Sequence, residues 1–249
     1  MPRPMHNKPP VRLHRIDPCT SETSPRLLCR QLLLSCSLAP DVENVYFMSK
    51  NYHHGSLRQA LIEAALPVLK KKGIVGLSLR ELAAELGVSH GAPYRHFKNK
   101  TALLEAIAVT GFNALQDICR KAMQDFPDDP RQQLYQAGMD YIFYVARNPE
   151  IADLMFRPGL SREESNTELQ QAVNSAVGSL AAIIENGKQR KLYGDHQTMD
   201  LVLTSLSTVH GLAMFIAGGM LIDPASPESS IEALGKRVYN ILLHGMAGE

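Results

Sequence analysis

The stretch from Leu77 to Phe97 limits the folds open to this chain more than any other. Ser78-Leu79-Arg80-Glu81 has the form of a capping box, in which the Ser78 hydroxyl takes the Glu81 amide and the Glu81 carboxylate reaches back. It starts a short helix that Gly87 closes, and after the Gly87-Val88 turn Ser89 is placed to cap the next helix. Two helices about a Gly-containing turn make a helix-turn-helix unit. The apolar pattern agrees: Leu79, Leu82, Ala83 and Leu86 face inward, Val88 plugs the turn and Phe97 closes the base of the second helix. Pro93 leaves the register of that second helix open by one residue. A cap at Ser89 costs it the first intrahelical bond, whereas a cap at His90 puts Pro93 in the first turn at little cost.

Helical spacing continues on both sides. Leu57, Ala60, Leu61, Ala64, Ala65, Val68 and Leu69 share a face, and Lys70-Lys71-Lys72-Gly73 supplies a basic last turn and a glycine stop. Asn99 is expected to cap a helix with Ala102, Leu103, Ala106, Ile107 and Thr110 on one side. Leu134, Ala137, Tyr141, Tyr144 and Val145 form the next face; Asn148-Pro149 breaks it and Ile151 to Phe156 restarts it. Arg157-Pro158-Gly159 reads as a loop, 163–189 as a long helix with Ala172, Ala176, Leu180 and Ile183 inward, and 192–195 as a turn. An apolar helix over 197–217 and a last helix over 231–244 follow. Period-2 apolar alternation bounded by turn signals is missing throughout. The expectation is an all-α chain, a helix-turn-helix domain followed by a second helical domain.

The formal net charge of +1 conceals a separation along the chain. Residues 48–104 hold 9 Lys and Arg against 3 Asp and Glu, residues 105–249 hold 11 against 18, and residues 1–47 hold 6 against 4. A uniformly basic nucleic-acid coat protein is excluded, yet the basic block coincides with the helix-turn-helix. Of the four cysteines, Cys19, Cys29 and Cys36 precede residue 48 and Cys119 stands alone in the body. They are too few for a disulfide scaffold and lack close Cys-x-x-Cys or His-x-x-x-His pairing. A reducing, cytoplasmic compartment suits them, and neither a metal nor a cofactor is expected.

Residues 1–47 carry Pro2, Pro4, Pro9, Pro10, Pro18, Pro25 and Pro40 with one short apolar cluster, Leu32 to Leu34, and are expected to form a disordered extension. The apolar run within 26–40 is broken by Arg30 and Gln31 and begins too far from the terminus for a signal peptide. Met48 opens directly onto the first patterned segment and is an alternative natural start. Lys50, His53 and His54 then form either an arm toward a minor groove or disordered polar residues. From Leu201 to Ile222 there is no Asp, Glu, Lys or Arg, which is length enough to span a membrane. Thr204, Ser205, Ser207, Thr208, His210, Gly211, Gly218 and Gly219 dilute that run, and Asp200 and Asp223 flank it where Lys or Arg would be expected. A helix buried in a core or a dimer seam is the expectation, with no membrane partner.

The run Val88-Ser89-His90-Gly91-Ala92-Pro93-Tyr94-Arg95-His96-Phe97, followed by Lys98-Asn99-Lys100 and Leu103-Leu104, resembles the amino-terminal domain of the TetR family of bacterial transcriptional regulators. The similarity covers residues 55–115. Val209-His210-Gly211-Leu212-Ala213 is similar to the His-Gly signature of the ligand-binding domain in one TetR subgroup, without the tryptophan that often precedes it; this chain has no Trp. The resemblance implies that Ser78 and Arg80 reach the DNA edge, that His90, Gly91 and Ala92 face bases with Ser89 beside them, and that Tyr94, His96 and Lys100 hold phosphates. Chemically, His can donate to or accept from a base edge, while Gly and Ala permit close approach or touch a thymine methyl. Phosphate contacts fix register without reading sequence, and Lys100 adds charge to a helix start. Plainer roles compete: Tyr94 as a packed core residue, His96 as a surface histidine, Lys70 to Lys72 as a solvated helix end.

For residues 116–249 the resemblance implies a small-molecule cavity and dimerisation through the last two helices. The expected partners are therefore a double-stranded DNA operator, a small-molecule effector that releases a repressor from it, and a second copy of the chain. Tyr141, Tyr144, Met155, Phe156, His210, Met214 and Phe215 are the candidate cavity residues, apolar for the most part with His210 as the polar handle; each competes with a role in a dry core. Gly211, Gly218 and Gly219 would admit a close helix. Two rival functions are weaker. An acid–base enzyme using His210 lacks any Ser/His/Asp order, Gly-rich phosphate loop or carboxylate pair. A helical adaptor with nonspecific DNA affinity leaves the basic, capped motif unexplained.

Overall fold

The computed structural model describes residues 57–160, 167–221 and 227–247. The proline-rich segment 1–47, Met48, the arm residues Lys50, His53 and His54, and residues 163–166 of the expected long helix lie outside the described residues. Among those described are eight α-helices, one 3-10 turn and no strand: α1 Leu57–Lys72, α2 Leu79–Glu85, the turn Pro93–Arg95, α3 Lys100–Asp125, α4 Pro130–Arg147, α5 Pro149–Met155, α6 Thr167–Gln189, α7 Thr198–Ala217 and α8 Pro227–Ala247.

Helix ends follow the local chemistry. Gly73 takes φ +64° and its N–H reaches the Leu69 carbonyl at 2.9 Å, while Gly87 takes φ +68° and lets the Val88 N–H reach Ala83 at 2.9 Å. Asn99 caps α3, its Oδ1 accepting from the Ala102 amide at 2.9 Å, a contact worth about 1 kcal/mol. At the α4–α5 break the Asn148 side-chain amide and backbone N–H both donate to the Tyr144 carbonyl, at 2.9 and 3.0 Å. Pro149 then opens α5 where no N–H is needed.

Two local expectations fail. Ser78 occupies the N-cap position of α2 in an extended conformation, but its hydroxyl makes no capping bond. Arg80 and Glu81 leave that first turn open to solvent, so no burial penalty enforces the bond. The segment after Gly87-Val88 is not a second α-helix either. Ala92 bonds back to Ser89, Arg95 to Ala92 and His96 to Pro93, each three residues away, and only Phe97 reaches four back, to Pro93. Pro93 has no N–H to offer Ser89 and Gly91 is a poor helix former, so the backbone tightens into 3-10 geometry. Neither Ser89 nor His90 caps it; Ala92 precedes the turn.

α1, α2 and the turn close a small core on the first turns of α3. Leu61, Ile62, Ala65 and Leu69 of α1, Leu79, Leu82 and Ala83 of α2, and Phe97 are buried together with Leu103, Leu104 and Ile107. α3 then runs on through residues 115 and 116, so one 26-residue helix serves both halves in place of a linker. Its length packs against α4, α5 and, most extensively, α6, while α4 packs on α7. α5 also touches α1. Both α3 and α7 are long and apolar enough to cross a membrane, but 67% of the apolar window of α3 is buried inside the fold against 33% for α7. One copy of the chain therefore does not enclose α7: Met199, Leu203 and Phe215 are exposed on it, as is Ile241 on α8.

Candidate nucleic-acid interface and ligand cleft

Pro93 and Phe97 are buried and pin the turn to α1 and α2, and the residues between and before them are left outside. Ser89, His90, Gly91, Tyr94, Arg95 and His96 are exposed and Ala92 is half-buried. Tyr94 is 47% exposed, which removes it from the core. A Cβ built on Gly91 meets nothing within 4 Å, so an outside group can come close to the backbone there. Arg80 projects from the first turn of α2 and Lys100 is the first residue of α3, behind the Asn99 cap. Two helix starts and an exposed turn thus share one packed unit, and helix starts favour anions. The Arg58 guanidinium lies 5.6 Å over the Phe97 ring, bracing the turn from α1.

In the second half, Ala152, Asp153, Phe156, Arg157, Pro158, His210 and Met214 line a cleft of about 460 Å³ between α5, the loop after it and α7. Phe156, His210 and Met214 belong to the set expected from the sequence. The Phe156 ring centroid lies 4.2 Å from that of His210 and 5.7 Å from Phe112, which it meets edge-on. Tyr141 stands behind the cleft, fully buried, with its hydroxyl 3.0 Å from Nδ1 of His210. Met155 is buried beneath, against Gly111 of α3. Tyr144 is half-buried on α4 and is not part of the lining. Phe215 is not brought to the cleft: it is 51% exposed, one residue past Met214 and so turned to another side of α7.

Burial holds the His210 imidazole below its ordinary pKa and pushes the Tyr141 phenol upward, so both are neutral near pH 7. Asp153 and Arg157 pair at 3.1 Å at the cleft mouth. Sequence reasoning missed both, since an Asp and an Arg four apart signal only a solvated helix pair. A second groove, about 410 Å³, runs between α7 and α8, with Leu201, Val238, Ile241 and Leu242 among its walls.

Residues 61–107 match the family model of bacterial regulatory proteins, tetR family, and residues 134–238 match that of the tetracyclin repressor-like C-terminal domain. The chain belongs to the TetR family. It is 50% identical over 52 residues to the tetracycline repressor protein class D of Escherichia coli, a match covering 21% of this chain and 24% of that one. The chain thus spans about a quarter of the length of that TetR relative. A protein of unknown function from Rhodococcus sp. RHA1 superposes with a TM-score of 0.66 and 30% identity, over 80% of this chain and 100% of that chain. The TetR-family regulator PfmR of Thermus thermophilus shares the fold, with a TM-score of 0.56 at 20% identity over 74% of this chain and 97% of its own.

Proposed function

We propose that this TetR-family chain is a transcriptional repressor of the cytoplasm. It binds a near-palindromic DNA operator as a homodimer and releases it when a small, largely apolar molecule enters the cleft beside α5. The observation that carries this reading is that α5, a wall of the cleft, packs on α1, which supports the exposed turn. His90, Gly91 and Ala92 read base edges, with Ser89 beside them. Ser78, Arg80, Tyr94, His96 and Lys100 set the register on phosphates.

The exposed apolar residues of α7 and α8 support a second copy as partner, because two-fold proteins read two-fold sites. Half-sites lie about 34 Å apart, so a shift of a few ångströms between the two reading turns breaks simultaneous engagement. The effector acts only as far as it prefers the state that cannot hold DNA, and operator DNA weakens effector binding by the same factor.

Selecting sites from random duplex DNA with the purified full chain tests the reading. One inverted-repeat consensus is the expected result. Retention at low salt with no consensus would instead favour a helical adaptor with nonspecific affinity.

A further inference from the structure

The hydrogen bond behind the cleft fixes what the cleft offers a ligand, and the inference rests on the cleft being the effector site. Tyr141 is 1% exposed, and among the described residues its hydroxyl has one hydrogen-bond partner, Nδ1 of His210 at 3.0 Å. Were the hydroxyl to accept from an Nδ1–H, its own proton would have nowhere to go, and an orphaned buried donor is costly. The O–H therefore donates, Nδ1 accepts with its lone pair, and the ring proton sits on Nε2. Burial acts in the same direction, disfavouring both the imidazolium and the phenolate.

His210 lines the cleft and Tyr141 does not, and with Nδ1 bonded to Tyr141 the Nε2–H is the ring's remaining polar group for a ligand there. Around it are the Phe156 ring, Met214, Ala152 and Pro158. The two charged groups of the lining, Asp153 and Arg157, are bound to each other at 3.1 Å and present no net charge.

We propose that the cleft selects an uncharged, ring-containing apolar molecule bearing a carbonyl or similar acceptor oxygen, which receives the Nε2–H of His210. Tyr141 is a positioning residue that holds the donor tautomer.

Two measurements on the full chain test this. In protein labelled with ¹⁵N-histidine, the long-range proton–nitrogen spectrum should show His210 with a bare Nδ1 and a protonated Nε2, and Tyr141→Phe should release it to a mixture of tautomers. By calorimetry, 2-acetylnaphthalene should bind about five- to tenfold more tightly than the near-isosteric 2-isopropylnaphthalene. His210→Leu should abolish that preference, and His210→Gln, which keeps an amide donor, should retain part of it. An Nδ1–H spectrum, equal binding of the two compounds, or a preference that survives in His210→Leu overturns the proposal. Binding of neither compound overturns the cleft as an effector site as well.

Discussion

Nη2 of Arg58 on α1 lies 2.9 and 2.7 Å from the two carboxylate oxygens of Glu168 on α6, joining residues 110 apart in sequence. The same guanidinium covers the Phe97 ring at the end of the exposed turn. One side chain of α1 therefore touches both the exposed turn and α6 of the second half. Both partners are partly solvated, at 36% and 55% side-chain exposure, so the pair adds little to stability, about 1 kcal/mol at most. What it adds is a tie between α6 and the turn through one side chain of α1.

Glu168→Gln should therefore change the unfolding free energy by less than about 1 kcal/mol, yet reduce the loss of operator affinity that the effector causes. The exchange Arg58→Glu with Glu168→Arg should restore part of the coupling. Fluorescence anisotropy of a labelled operator, with and without effector, reads both quantities. Unchanged coupling in Glu168→Gln would make the pair a surface contact only.

Replacing residues of the turn should separate base reading from phosphate holding. Lys100→Ala and Tyr94→Phe are expected to weaken matched and mismatched operators alike, and Lys100→Ala should lower the slope of log affinity against log salt by about one. His90→Ala should instead alter which bases are preferred. A Lys100→Ala protein with unchanged affinity and slope would remove that residue from the interface.

Much of this was legible because helix ends are written locally. Gly73, Gly87, Asn99 and Asn148-Pro149 each act through bonds within a few residues, and the structure uses them as the pattern suggests. The 3-10 turn was not legible, since Pro93 and Gly91 allow a helix by position and oppose it by hydrogen bonding and propensity. Nor was the sorting of the cavity candidates. Met214 and Phe215 are neighbours of similar chemistry, and only the packing of α7 on α4 decides that one lines the cleft and the other faces out. Arg58 and Glu168 carried no signal at all, because their pairing depends on the tertiary course of the chain.

The outward apolar face of α7 and α8 predicts a specific failure. Ile241 is 74% exposed and Leu203 56%, values that expose large side chains with no cover in one copy. Ile241→Asp should give monomers in analytical ultracentrifugation while keeping the helical circular dichroism, and operator binding should fall with the loss of the paired reading turns. A variant that stays dimeric would move the interface elsewhere.

Two glycines in helices should respond oppositely to the same added methyl. A Cβ at Gly111 would overlap Met155 Sδ and sit 2.8 Å from Ile151 Cγ2, pressing α3 against the cleft helix α5. Gly111→Ala should destabilise by about 1–3 kcal/mol. Gly178 on α6 has nothing within 4 Å of that position, so Gly178→Ala should stabilise by about 0.5–1 kcal/mol. Urea unfolding of the two variants measures the pair, and a neutral Gly111→Ala would mean that α5 gives way freely.

The half-buried imidazole gives the fold an acid sensitivity of known sign. Burial lowers the pKa of His210 below its ordinary 6.5. As pH falls through that ordinary value the unfolded chain takes up a proton and the folded chain does not, so unfolding is favoured. The stability contribution is complete above 6.5, is lost as pH falls toward the folded pKa, and changes no further below it. His210→Gln removes this term and keeps a polar group near Tyr141. The remaining histidines are common to both proteins and cancel in the comparison. Unfolding free energies from urea titrations at several pH values between neutral and mildly acid should thus fall more steeply in the parent than in His210→Gln, so that the gap between the curves changes with pH. Parallel curves would mean that the His210 ring is solvated in the folded protein, and would undo the assignment of its proton to the cleft.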